Sequence, residues 1–153
     1  MLRSLMITLL LTVASATAFA AGSDRRDLAA EEANRTLVID FYNQFFNLHQ
    51  VEQAARAIAQ DYKQHNPDVP DGKAPFVEFF TGFFKEHPES CARIVRSGTD
   101  GDLVYLHVHS TVGPDDLGQA VIDIFRVENG MIVEHWDVIQ DVPAEAVNDN
   151  TMF

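Results

Sequence analysis

Around residue 90 the spacing of apolar residues changes from helical to twofold, and a chain that makes this change once has few folds open to it. Upstream, Leu37, Phe41, Phe45 and Leu48 recur at helical spacing and predict a long amphipathic helix over 28–48. A shorter helix over 51–59 carries Ala54, Ala55 and Ile58. A third starts at Lys73, presents Phe76, Phe79, Phe80 and Phe83 on one wide face, and ends near His87-Pro88. Between them, 62–71 is polar and broken by Pro67 and Pro70, so it reads as an extended loop. Downstream, 91–97, 102–112, 118–128 and 131–140 read as four strands, with breaks at Gly101 and at Gly113-Pro114-Asp115-Asp116. Connections this short imply an antiparallel meander. Helices first and strands afterwards imply one α+β domain over 28–142, its helices packed on one face of a curved sheet. Residues 143–153 form a polar tail ending in Met152-Phe153, an apolar pair suited to docking on the body or on a partner subunit.

The last two strands carry the most chemistry. Alternation puts Val121, Asp123, Phe125 and Val127 on one face, and on the returning strand Val133, His135, Asp137 and Ile139 on one face. Whether acids and histidine meet depends on the turn. A two-residue Asn129-Gly130 loop pairs Glu128 with Met131 and sets Asp123 opposite Trp136. A three-residue loop with Gly130 left-handed pairs Val127 with Met131 and sets Asp123 opposite His135. A slip of one residue exchanges the faces, so turn chemistry leaves both open.

Residues 1–20 have the form of a cleavable secretory signal: a basic Arg3, an apolar run from Leu5 to Val13, and Ala18-Phe19-Ala20 before the cut. That run is too short to span a bilayer. Cleavage after Ala20 removes 20 of 153 residues and leaves 133, enough for one domain with a core, preceded by a flexible leader over 21–27. The expected location is periplasmic or extracellular, with no stable membrane insertion after cleavage. Net charge is −12, and loss of Arg3 makes it −13, which disfavours nucleic acid and anionic membranes. Cys91 is the sole cysteine, excludes an internal disulfide, and reads as a small buried thiol.

The segment Tyr62-Lys63-Gln64-His65-Asn66-Pro67, the run Asp123-Ile124-Phe125-Arg126-Val127, and Asn129 to Asp137 resemble the SnoaL-like branch of the nuclear transport factor 2-like superfamily over 28–142. That resemblance implies a cone-shaped fold with a curved sheet around an internal pocket. It also implies the longer turn, with Asp123 at the oxyanion-stabilising position of the related ketosteroid isomerases and Tyr42 near their pocket tyrosine. The aspartate base of those isomerases is Asn66 here, and an amide cannot act as a carboxylate base. In SnoaL-like cyclases an aspartate on the last strands does the acid–base work of an intramolecular aldol closure, without cofactor. Asp137 is the best match, with Asp123 the other candidate.

Such a reaction needs a base for a proton beside a carbonyl, a donor for the enolate oxygen, and an apolar enclosure. The expected catalytic set is Asp137 as base, Asp123 in its acid form or Tyr42 as donor, and His135 and His65 assisting. Tyr42, Tyr62, Phe125, His107, His109 and Ile139 are the expected substrate contacts, although Tyr62 also suits simple packing. His107 and His109 share a strand face opposite Val104, Leu106 and Val108, and either face could be the inner one. Histidines two apart, with His65 and His135, raise a zinc or iron site, but alternate residues on any strand share a face; no metal and no cofactor is assigned. Trp136 and Glu134 fall on the outer face, where a homodimer interface is expected. The reading is an acid–base catalyst (cyclase, isomerase or lyase) on a small apolar carbonyl compound. Its rivals are a binding protein using the same pocket without turnover, and an interaction module whose pocket is filled as core.

Overall fold

The computed structural model describes residues 26–153; the signal segment expected over 1–20 and residues 21–25 of the expected leader lie outside them. Helix α1 (Leu28–Tyr42) runs into a π turn (Asn43–Asn47), followed by a one-turn α2 (Val51–Ala54) and a 3₁₀ turn (Ala55–Ala57). Strand β1 (Ile58–Gln64), helix α3 (Lys73–Glu86), and strands β2 (Cys91–Asp100), β3 (Leu103–Thr111), β4 (Gln119–Glu128) and β5 (Met131–Asp141) complete the body. The sheet is open, in the order β1-β5-β4-β3-β2, antiparallel except for β1 beside β5. This is the α+β architecture the sequence implies, with one strand more than expected. Ile58–Gln64 has only Ile58 and Tyr62 as apolar inward residues, so locally it reads as a helix end and a polar loop. Pairing with β5, at Gln64 beside His135, makes it a strand. Among the described residues no helix is long and apolar enough to cross a membrane.

Helices α1 and α3 pack on the concave face. Val38 and Phe41 from the first, Phe45 from the π turn, Phe76 and Phe84 from the third, and Val104, Leu106, Val108 and Ile132 from the strands are buried together. The π turn adds a residue to the helical repeat, so that Phe45 is buried and Phe46 beside it also faces inward, its ring tilted against that of Tyr42 with centroids 4.5 Å apart. Leu48, expected on the same stripe, falls past the turn and is exposed. Cys91 is also exposed, because the edge strand β2 turns it outward while Ala92 takes the inner position. The tail closes on the body: the Phe153 ring stacks 4.2 Å from His109, with the Arg93 guanidinium 5.9 Å away.

Asp27 caps α1, accepting from the amides of Ala29 and Ala30 at 3.1 and 3.0 Å, so Asp27 and Arg26 belong to the body rather than to a leader. Glu31, 3% exposed, pairs with Arg26 and accepts from Thr99 Oγ1 at 2.7 Å. The hydrogen bonds from Arg26 and Thr99 hold its carboxyl down to about 2, against an ordinary 4.5. A depressed carboxylate stabilises the fold fully above its unfolded value, and that support fades as pH falls from 4.5 toward 2. Acid unfolding should therefore show a component in that window that Glu31→Gln removes; an unchanged acid profile in the variant would refute the assignment.

Gly118 is fitted to its place by more than its φ of 78°. A Cβ there would lie 2.2 Å from the Ser110 carbonyl oxygen. Gly118→Ala should cost about 2–4 kcal/mol in chemical denaturation, from left-handed backbone strain and backbone overlap together.

Candidate active site

The hairpin that carries the acids begins with a two-residue turn. Asn129 (φ 51°) and Gly130 (φ 74°) are both left-handed, and Glu128 pairs with Met131. Continued unchanged, this register would set Asp123 opposite Trp136 and turn His135 and Asp137 outward. Two residues along, Val133 is inserted as a β-bulge: Val127 pairs with Ile132, but Arg126 pairs with Glu134. Beyond the bulge Phe125 faces His135 and Asp123 faces Asp137. The longer loop is thus corrected, and neither of the two expected pairings of Asp123 forms. The bulge nonetheless lets Val127 and Ile132 enter the core while Asp123, His135 and Asp137 share the concave face, their ligating atoms within 4.8 Å of one another.

These groups lie at one wall of a cavity of about 210 Å³ lined mainly by phenylalanines of α1, the π turn and α3, with Tyr42, Tyr62, Phe125 and Ile139. Asp123 and His135 are buried, 5% and 7% exposed, and Asp137 is half-buried. Tyr42 Oη donates to Asp123 Oδ2 at 2.9 Å, and Asp123 Oδ1 is 2.9 Å from His135 Nε2. His135 Nδ1 is 2.9 Å from Gln64 Oε1. The amide of Asn66 donates to the same Gln64 oxygen at 2.9 Å, which identifies it as the carbonyl end and makes Nδ1 a donor. Asp137 stands apart: Asn66 Nδ2 donates to its Oδ2 at 2.6 Å, and Oδ1 has no hydrogen bond among the described residues. Burial, with the Asp123 carboxylate next, pushes the Tyr42 and Tyr62 hydroxyls well above their ordinary range, so both stay protonated.

One imidazole and two carboxylates are groups a divalent cation can use. Here a cation could use Asp137 Oδ1, but at Asp123 Oδ1 and His135 Nε2 it would have to displace the hydrogen bond between them.

Three residues expected at the site are elsewhere. His107 and His109 are on the convex face, because Val104, Leu106 and Val108, all 0% exposed, take the inner one. His109 Nε2 lies 2.9 Å from the Leu117 carbonyl oxygen and, because a carbonyl only accepts, donates to it. His65 follows β1 and turns outward, its ring stacked 4.8 Å from Trp136 and its Nε2 2.9 Å from Glu134 Oε1. Conversely, Gln64 and the amide of Asn66 are brought in by the parallel pairing of β1 with β5. For Gln64 the only sequence signal is the two-residue spacing Tyr62-x-Gln64-x-Asn66, which becomes meaningful once that stretch is a strand; Asn66 stands where the resemblance places the isomerase base.

No curated protein matches the sequence. Among solved structures the chain is similar to a candidate ketosteroid isomerase of Kribbella flavida, at 20% identity and a TM-score of 0.61, over 77% of this chain and 85% of that one. It is also similar to a candidate polyketide cyclase of Acidithiobacillus ferrooxidans, at 18% identity and 0.61, over 70% and 87%. A third is an NTF2-like protein of unknown function from Cytophaga hutchinsonii, at 15% identity and 0.59, over 70% and 89%. At such identities these matches show the shared fold. The sequence model of the SnoaL-like polyketide cyclase family matches residues 36–146, which include α3 and every residue of the cavity wall described above, and the chain belongs to that family.

Proposed function

We propose that the protein is a cofactor-independent acid–base catalyst, of cyclase or isomerase type, that enolises a small carbonyl compound with Asp137 as its base. The observation that carries this reading is the Asp137 carboxylate: Asn66 anchors one oxygen at 2.6 Å, and the other is unpaired at the wall of an aromatic cavity. Its unpaired oxygen takes a proton from the carbon beside the carbonyl. The C–H electron pair becomes the new C=C bond, and the carbonyl π pair moves onto oxygen. The first C=O then re-forms as the enolate carbon attacks a second carbonyl of the same molecule, whose π pair moves onto its oxygen and takes the proton from Asp137; in an isomerisation a dienolate instead takes that proton at its far carbon. Tyr42 and His135, each 2.9 Å from one Asp123 oxygen, hold that carboxyl in place at the wall beside the base. The phenylalanine walls exclude the water that would otherwise compete for the enolate.

The segment 1–20 supports an exported setting, and Trp136 with the exposed Val138 on the convex face supports a homodimer. The test is α-proton exchange: one-ring and open-chain ketones are incubated with the protein in deuterium oxide and followed by proton resonance. Exchange above the buffer rate is expected for at least one of them. Saturable binding of these ketones with no exchange would instead make this a binding protein with the same cavity.

A further inference from the structure

We propose that the Tyr62 hydroxyl, rather than that of Tyr42, is the donor to the ligand's oxygen, and that the ligand is an enolisable carbonyl compound of about one-ring size. The inference rests on the enolisation reading for its chemistry, but on separate atoms for its evidence. The hydrogen bonds run in one direction from His135. The ring donates through Nδ1 to Gln64 Oε1, and Gln64 Nε2 donates in turn to Tyr62 Oη at 3.2 Å. Tyr62 therefore already accepts, while its own hydrogen has no acceptor among the described residues. A tyrosine only 2% exposed rarely leaves that hydrogen unused, and Tyr62 lines the same cavity as Asp137. Tyr42 differs in the one respect that matters: its hydrogen is already given to Asp123.

Two physical effects suit Tyr62 to the task. Burial first, then the charges of Asp123 and Asp137, keep its hydroxyl protonated, so it is a donor and not a competing base. The Gln64 amide, itself fed by His135, polarises the Tyr62 O–H bond toward a developing negative oxygen. The cavity sets the size. Its 210 Å³ equals about seven waters at liquid volume, enough to enclose one ring and its oxygen and below the usual range for drug-sized ligands.

The probe is 4-nitrophenol, a one-ring acid whose anion mimics an enolate and whose absorbance separates the two forms. Wild-type protein is expected to bind it as the anion. Tyr62→Phe, with its fold checked by thermal melting, should weaken that binding about ten- to a hundredfold, the loss of one hydrogen bond to a charged oxygen. Binding unchanged in Tyr62→Phe, or no binding by the wild type, overturns the proposal. If the variant does not fold, the wild type still decides: a new downfield hydroxyl proton assigned to a tyrosine other than Tyr42 is expected on binding, and its absence overturns the proposal. The two readings fail separately. Tyr62-dependent binding without ketone exchange removes catalysis and keeps the donor; exchange lost in Asp137→Asn but untouched in Tyr62→Phe removes the donor and keeps the base.

Discussion

Asp137→Asn is expected to lower α-proton exchange by about 10²–10⁴-fold, the usual contribution of a positioned general base. The substitution changes little else. Asparagine has the same shape, and its side-chain oxygen can keep accepting from Asn66 Nδ2, so that Asn66 also keeps its bond from the Asp68 amide at 2.8 Å. The fold should therefore persist, and affinity for a neutral ketone should change far less than the rate. A loss confined to the chemical step is the mark of a group that acts in the transition state; a loss in KM alone would mean that Asp137 only binds. A variant that exchanges ketone protons as fast as the wild type would remove Asp137 as the base and with it the proposed mechanism.

Asp123→Leu should be the most destabilising of the site substitutions, by about 3–5 kcal/mol, as for other buried pairs that lose one partner. Asp123 and His135 are 5% and 7% exposed, so water cannot replace what is lost. The leucine would strand two donors at once, Tyr42 Oη and the Nε2 side of His135. His135→Leu leaves Asp123 Oδ1 without its partner, while Tyr42 still donates to Oδ2 and the Asn66 amide to the Gln64 carbonyl. The double variant Asp123→Leu/His135→Leu should cost less than the sum of the two singles, because the second change removes a group the first left unpaired. Chemical denaturation of all three variants measures this. Costs that simply add would mean that the pair is not coupled, and a single variant as stable as the wild type would mean that the hydrogen bonds count for nothing.

Much of the architecture can be read from particular residues. The phenylalanines of α3 recur at helical spacing and line the cavity as that spacing implies. The alternation of Val104, Leu106 and Val108 marks a strand, but alternation has two equal faces, and the sequence alone leaves His107 and His109 undecided. Burial decides for the valines and leucine, since those aliphatic chains have no use for water and the two imidazoles do. His65 illustrates the opposite difficulty. Its neighbours Gln64 and Asn66 reach the site and it does not, because a strand exchanges faces at every residue. Without knowing that 58–64 is a strand, nothing distinguishes the histidine from the two amides, and histidine is the more reactive choice.

By itself the sequence determined the helical stripes, the twofold runs and the α+β order, and narrowed the hairpin to two turns about Asn129-Gly130, because each depends on residues close together in the chain. The bulge at Val133 and the parallel pairing of β1 with β5 were decided only in three dimensions. The turn alone points His135 and Asp137 outward. Packing demands Val127 and Ile132 inside, and the helices above the sheet leave a cavity for polar groups just beyond them. One extra residue in β5 satisfies both demands. That balance is struck between segments far apart in the chain, so no local pattern of residues records it.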